Sequence, residues 1–139
     1  MMVWVHAAVG ACVGSRVKDP AAAFAAGAFS HLVCDLIPHK DYDLTVEAPL
    51  AAAALLAIGI RGGIRSTQFA GALGAIAPDF ENGLAVLGVI DRKNTIFPTH
   101  NDAVPWFVGH GRKVSTPWPQ VILAAAAFVL AGHFAKAPK

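Results

Sequence analysis

Five stretches of nearly unbroken apolar residues, each about as long as a short helix and each closed by proline, glycine or charge, dictate most of what this chain can fold into. The first runs from about Val3 to Val13 and is closed by Ser15, Arg16, Lys18 and Asp19, after which Pro20 suits the first turn of a new helix. The second runs from Ala21 to Ile37; Pro38 disfavours helical geometry at Ile37, so His39 is expected just past the helix end. After the polar stretch HKDYDLTVE, Pro49 opens a third segment that reaches about Ile60 and stops at Arg61-Gly62-Gly63. The fourth, Thr67 to about Ala77, ends at Pro78-Asp79, with a short Gly83 to Ile90 run behind it. Residues 91–119 carry Pro98, Pro105, Gly109, Gly111 and Pro117 and read as a long connection, functional or lid-like as such loops usually are. The last segment, Pro119 to Phe134, is the most uniformly apolar. The pattern predicts an all-α fold, a compact bundle of about five short apolar helices forming a single domain over 1–139.

Composition strains the ordinary soluble class. Hydrophobic residues make up 55% of the chain and charged ones 14%, where soluble domains carry about 25% charge, and the mean hydropathy is +0.53. No segment reaches the roughly 18–20 uninterrupted apolar residues of an ideal spanning helix, although the second and last come close. Runs such as AAAFAAGAF and AAAALLAIG let helix backbones approach closely, as in packed membrane bundles, though an Ala-rich soluble bundle reads similarly. Membrane embedding is the expectation, with no orientation legible from the charges. The net charge is +2 and the Lys and Arg are scattered, so nucleic acid is not an expected partner. Cys12 and Cys34 lie in apolar runs without CxxC spacing and read as small hydrophobes. The N-terminus lacks a basic region before its apolar stretch and is read as part of the fold rather than a secretory signal.

Chemistry concentrates where the apolar pattern is broken. His31 and Asp35 are i and i+4 on a helix otherwise almost free of charge, so they share a face. A buried carboxylate is costly unless it is paired or bound to a cation. His31 is the nearest partner, and a metal satisfies both; a plain His-Asp hydrogen bond that fixes helix packing is the simpler alternative. His39 and Asp41, directly after the proline, bring two more polar groups to the same end. Similar oddities recur in His6, in Asp79 and Glu81 after Pro78, and in His100-Asn101-Asp102 within the connection. Asp79 and Glu81 have a competing role as caps of a Gly83 to Ile90 helix, and His100 that of an ordinary loop histidine. Nitrogen and oxygen donors without thiolate suit zinc, manganese or iron, and mixed carboxylates can support two metals. His110 reads as a mobile or substrate-phosphate contact or as nothing, His133 as interfacial, and Trp4, Trp106 and Trp118 as core or membrane-interface anchors. AFAAGAFSHLVCDLIPHKD and QFAGALGAIAPDFEN echo one another: two helices delivering ligands from their ends, or only two helices stopped by proline.

Together, His6, SHLVCDLIPHKD, IAPD and FPTHND resemble the small bacterial and archaeal inner-membrane proteins described as membrane-bound metal-dependent hydrolases, over most of the chain. The HxxxD core with its following Pro and His is also similar to the zinc-dependent phospholipase C and single-strand nuclease superfamily, all-α enzymes that cleave phosphoesters with several metals. This chain is shorter than those enzymes and has a shorter proline-to-histidine spacing. The resemblance implies a metal set of His6, His31, Asp35, His39, Asp79 and His100. It also implies an inner-membrane hydrolase in which a metal-activated water, its proton taken by Asp35 or Asp79, attacks a lipid-linked phosphoester. The rival expectations are a non-catalytic, metal-stabilised membrane scaffold and, more remotely, a small transporter component with polar residues strung along a pore.

Overall fold

The structure, a computed structural model, describes residues 1–104 and 113–135, and every regular element among them is helical. The elements are α1 (Val3–Gly14), α2 (Pro20–Asp35), α3 (Leu44–Gly62), α4 (Thr67–Val86) and α5 (Trp118–Ala135), with 3-10 turns at Arg92–Asn94 and Pro98–His100 between the last two. Local chemistry explains most of the boundaries. Asp19 accepts a hydrogen bond from the Ala22 amide at 2.7 Å with Pro20 in the first turn, and Ser66 accepts from the Phe69 amide at 3.1 Å. Three residues beyond the end of α2 stands Pro38, which leaves His39 outside the helix as expected.

Two prolines behave otherwise than the sequence pattern implies. Pro49 does not open α3, which starts at Leu44 and carries Pro49 inside it. The polar residues before Pro49 are helical because Glu47 turns inward, where its carboxylate accepts from the Val3 amide at 2.9 Å and the Tyr42 amide at 3.2 Å. Nor does Pro78 end α4, which continues to Val86, so no separate Gly83 to Ile90 helix exists and Asp79 and Glu81 cap nothing. An internal proline forfeits one N–H bond and strains the turn by about 3 kcal/mol. That cost is outweighed here because α4 lies wedged against both α1 and α2, its Pro78 buried. The echo of two helices stopped by proline fails for the same reason, since α2 stops short of its proline and α4 runs through it, although both helices bring polar residues to one centre.

The wedge depends on Gly71. A Cβ on Gly71 would fall on the Gly10 carbonyl oxygen of α1, and one on Gly27 of α2 would fall on the Gly71 carbonyl oxygen. The three backbones therefore meet closer than any side chain permits. Around this contact the core is built mainly of small residues, among them Ala7, Ala8, Ala11, Ala23, Ala72 and Ala75. Large apolar side chains point outward instead: Phe29 is 66% and Ile60 78% exposed, and Leu56, Phe80, Ile122 and Val129 are likewise exposed. Among the described residues only α3, with 19 residues, is long and apolar enough to cross a membrane. The sequence pattern points to the second and last segments instead; α3 gains its length from the five residues ahead of Pro49.

Candidate metal centre

The side chains wholly removed from solvent are led in size by His6, His31 and His39, with Asp35 also among them, an inversion of normal core composition. The topology explains how they meet. α1 contributes His6, the last two turns of α2 contribute His31 and Asp35, α4 contributes Asp79 just beyond its internal proline, and the 3-10 turn Pro98–His100 contributes His100. One turn before Asp79, the Ala75 carbonyl accepts a hydrogen bond from His31 Nδ1 at 2.7 Å.

That bond fixes the position of one ring hydrogen. A carbonyl only accepts, so His31 Nδ1 carries hydrogen, and in the neutral ring Nε2 is a lone pair. It lies 3.0 Å from Asp35 Oδ2 and 3.1 Å from His100 Nε2. A protonated His31 has one Nε2 hydrogen for these two neighbours; a cation between them serves both. His100 Nε2 lies 3.6 Å from Asp35 Oδ2 and 3.7 Å from Asp79 Oδ1. Donors bound at about 2.0–2.2 Å in tetrahedral or octahedral geometry stand roughly 2.9–3.6 Å apart, so the His31, Asp35 and His100 atoms are spaced almost as ligands of one cation. Among the described residues, Asp79 Oδ2 and His6 Nδ1 are buried without a hydrogen-bond partner.

Two triads hold their donor atoms within 4.8 Å of one another, His31 with Asp35 and His100, and His6 with His31 and Asp79. The first is the better metal site, because the His31 atom nearest Asp79 Oδ2, Nδ1 at 3.7 Å, is already engaged by Ala75. A His/Asp cluster that could hold a metal ion is therefore in place. His6 lies behind it: its ring stacks on His31 with centroids 3.9 Å apart, and its Nε2 is 3.1 Å from Asp35 Oδ1. The terminal ammonium of Met1 donates to the same oxygen at 3.0 Å.

Electrostatics follow from burial. Burial pushes the His6 pKa down to about 3 against the pull of Asp35. Burial alone would raise Asp35, but its hydrogen bonds with His31 and His6 hold it well below the usual carboxylate range. Asp79 is pushed up to about 7, mainly by burial and further by the charge of Asp35, with His31 opposing.

Of the sequence-predicted residues, His6, His31, Asp35, Asp79 and His100 converge. His39 is buried alongside: Nδ1 donates to the Ile37 carbonyl at 2.6 Å and Nε2 is 3.1 Å from Asp41 Oδ1, whose other neighbour is the Met1 ammonium at 3.4 Å. It is joined to the cluster through that ammonium rather than grouped with its donors. Glu81 is a clamp: its two oxygens accept from the Ile96 amide at 2.7 Å and the Phe97 amide at 3.1 Å, tying the His100 turn to α4. Phe97 then stands edge-on to the His31 ring, 5.1 Å between centroids. Asn101 shapes the turn through its bond to the Thr95 carbonyl at 2.5 Å. His133 is exposed near the end of α5; His110 and Trp106 lie outside the described residues.

A cavity of about 850 Å³ opens on the His100 and Asp79 side of the cluster, lined also by Glu47, Asn82, Arg92 and Lys113. Glu47 escapes the sequence reading, because it closes the polar stretch HKDYDLTVE and only the early start of α3 makes it helical. Comparison with known protein families, with curated proteins and with solved structures finds no match for this chain.

Proposed function

We propose that this chain is a membrane-bound metal-dependent hydrolase acting on a lipid-linked phosphoester, with His31, Asp35, Asp79 and His100 as the ligands of its divalent cation. The observation that carries the reading is the triad of His31, Asp35 and His100, its donor atoms 3.0–3.6 Å apart, with Asp79 Oδ1 3.7 Å from His100 Nε2 and both of those residues lining a cavity. An all-nitrogen-and-oxygen donor set suits zinc first, with manganese or iron as alternatives. Such a cation supplies a water of lowered pKa and polarises the scissile ester.

The residues divide the remaining work. Asp35 is fully buried and engaged on both oxygens by histidines, which suits a charge-balancing ligand. Asp79 lines the cavity, which supports it as the group that would take the water's proton. Arg92 and Lys113 line the same cavity and give a phosphoester its counter-charges. The apolar outer faces and the length of α3 support attachment to a membrane, and the resemblance carried by His6, SHLVCDLIPHKD, IAPD and FPTHND points to the inner membrane.

The observation that favours a non-catalytic, metal-stabilised scaffold is the complete burial of His6, His31 and Asp35. Turnover separates the two readings. In detergent-extracted protein of measured metal content, release of phosphate or alcohol from lipid-linked phosphoesters is expected. Asp79→Asn should slow it about a hundredfold or more at saturating metal, and His31→Ala should abolish metal and turnover together. Stoichiometrically loaded protein that releases nothing across a broad phosphoester and lipid screen would refute the hydrolase and leave the scaffold.

A further inference from the structure

The amide side chains sheltered from solvent are tied to the backbone, with one exception. Gln120 accepts from the Met2 amide at 3.1 Å and donates to the Lys40 carbonyl at 2.7 Å. Gln68 donates to the Ala131 carbonyl at 2.9 Å, and Asn101 accepts from the Ala103 amide at 2.8 Å while it donates to the Thr95 carbonyl. Asn82 departs from this rule: its Oδ1 is buried without a hydrogen-bond partner, where buried polar atoms are nearly always paired. It lies on α4 three residues past Asp79, hence on the same face one turn further on, roughly 5–6 Å away between Cβ atoms. Both residues line the cavity of about 850 Å³, as does Gly83, where an added Cβ would meet nothing within 4 Å. The last torsion of an asparagine is broad and roughly two-fold, so the amide plane turns readily to present either its N–H pair or its oxygen to that space.

Charge decides which edge of the amide a ligand would use. A phosphoryl oxygen only accepts, so it takes the N–H edge. A lysine one turn from Asp79 would pair with that carboxylate, whereas a neutral amide keeps its hydrogens for a ligand. We propose that Asn82 is a substrate-binding residue, its side-chain N–H donating to a non-bridging oxygen of a phosphoester held beside Asp79 and His100. Donors aimed at phosphoryl oxygens stabilise the charge that gathers there as the ester is attacked. This deepens the hydrolase reading and rests on it for the phosphoester, while binding of the anion can be measured without turnover.

The test is the binding of inorganic phosphate to the full-length protein as purified, followed by isothermal titration calorimetry, with metal content and Tm measured on every sample. Asn82→Ala should weaken phosphate binding about tenfold, with metal content and Tm at their wild-type values. Asn82→Asp keeps the acceptor oxygens, loses both N–H groups and adds a negative charge, so it should bind phosphate more weakly still. Asn82→Gln, which keeps the amide, should recover part of the affinity. Equal affinity in the wild type and Asn82→Ala, or wild-type affinity in Asn82→Asp, overturns the proposal, as does a wild-type protein that binds no phosphate. Loss of metal or a lowered Tm in Asn82→Ala and Asn82→Gln alike assigns the amide to the fold and overturns it too. Amide-dependent phosphate binding in a protein that releases nothing from phosphoesters would uphold the role of Asn82 while the hydrolase reading fails.

Discussion

The place where α1, α2 and α4 meet and the outward faces of α2, α3 and α5 reverse the usual division of labour. Inside are three histidines, an aspartate and a layer of alanine and glycine; outside are phenylalanine, leucine, isoleucine and valine. Burial of apolar area, the ordinary driving force, is weak in such an interior because an alanine buries little. What holds the centre is backbone proximity at Gly71 and a polar network around Asp35. The exterior leaves large apolar side chains uncovered, and exposed apolar patches mark membrane or partner surfaces. Interior changes should therefore be severe and exterior changes mild, the opposite of the gradient expected had the large residues formed the core.

The largest effect is expected at Asp35. Its removal leaves His6 and His31 buried without their shared acceptor, so Asp35→Ala should cost about 3–5 kcal/mol and eliminate bound metal, read by thermal unfolding and elemental analysis. Next is Gly71→Ala, whose single added methyl meets the Gly10 carbonyl; overpacking of this kind costs roughly 1–3 kcal/mol or more, visible as a lowered Tm. Glu81→Ala unties the His100 turn and should weaken metal affinity about 10–100-fold by competition with a chelator, with Glu81→Gln, which keeps one acceptor, recovering part of the loss. The smallest change belongs to the exterior. Phe29→Ser or Ile60→Ser should shift stability by no more than about 0.5 kcal/mol in detergent, leaving metal content intact. An exterior substitution that releases metal, or an Asp35→Ala protein as stable as its parent, would break the contrast.

The two regions also differ in how much of them the sequence disclosed. Helix number and type were legible because apolar runs with prolines and glycines between them leave few alternatives. So were His31 and Asp35, since an acid at i+4 from a histidine in an apolar helix demands a partner. Asp79 and His100 stand out as oddities, and only the resemblance joins them to the site, because convergence of α4 with a distant turn is a tertiary fact that no local spacing encodes. The prolines misled for a physical reason. Pro49 and Pro78 each remove one hydrogen bond, a local cost that packing of α3 and α4 against their neighbours overrides. Glu47 was missed because it sits in a polar stretch that reads as loop, and only the longer α3 turns it inward. Glu81 was weighed as a ligand or a cap, whereas its role as a clamp depends on the Ile96 and Phe97 amides folding back onto α4.

The central claim is that a cation completes the cluster around Asp35. Elemental analysis of the purified full-length protein, coupled to X-ray absorption at the edge of whichever metal is found, addresses it directly. A stoichiometric divalent metal with a shell of nitrogen and oxygen at about 2.0–2.2 Å, lost in Asp35→Ala, is the expected result. A folded wild-type protein that binds no metal, and whose unfolding is unchanged by a chelator or by added zinc, manganese or iron, would contradict it.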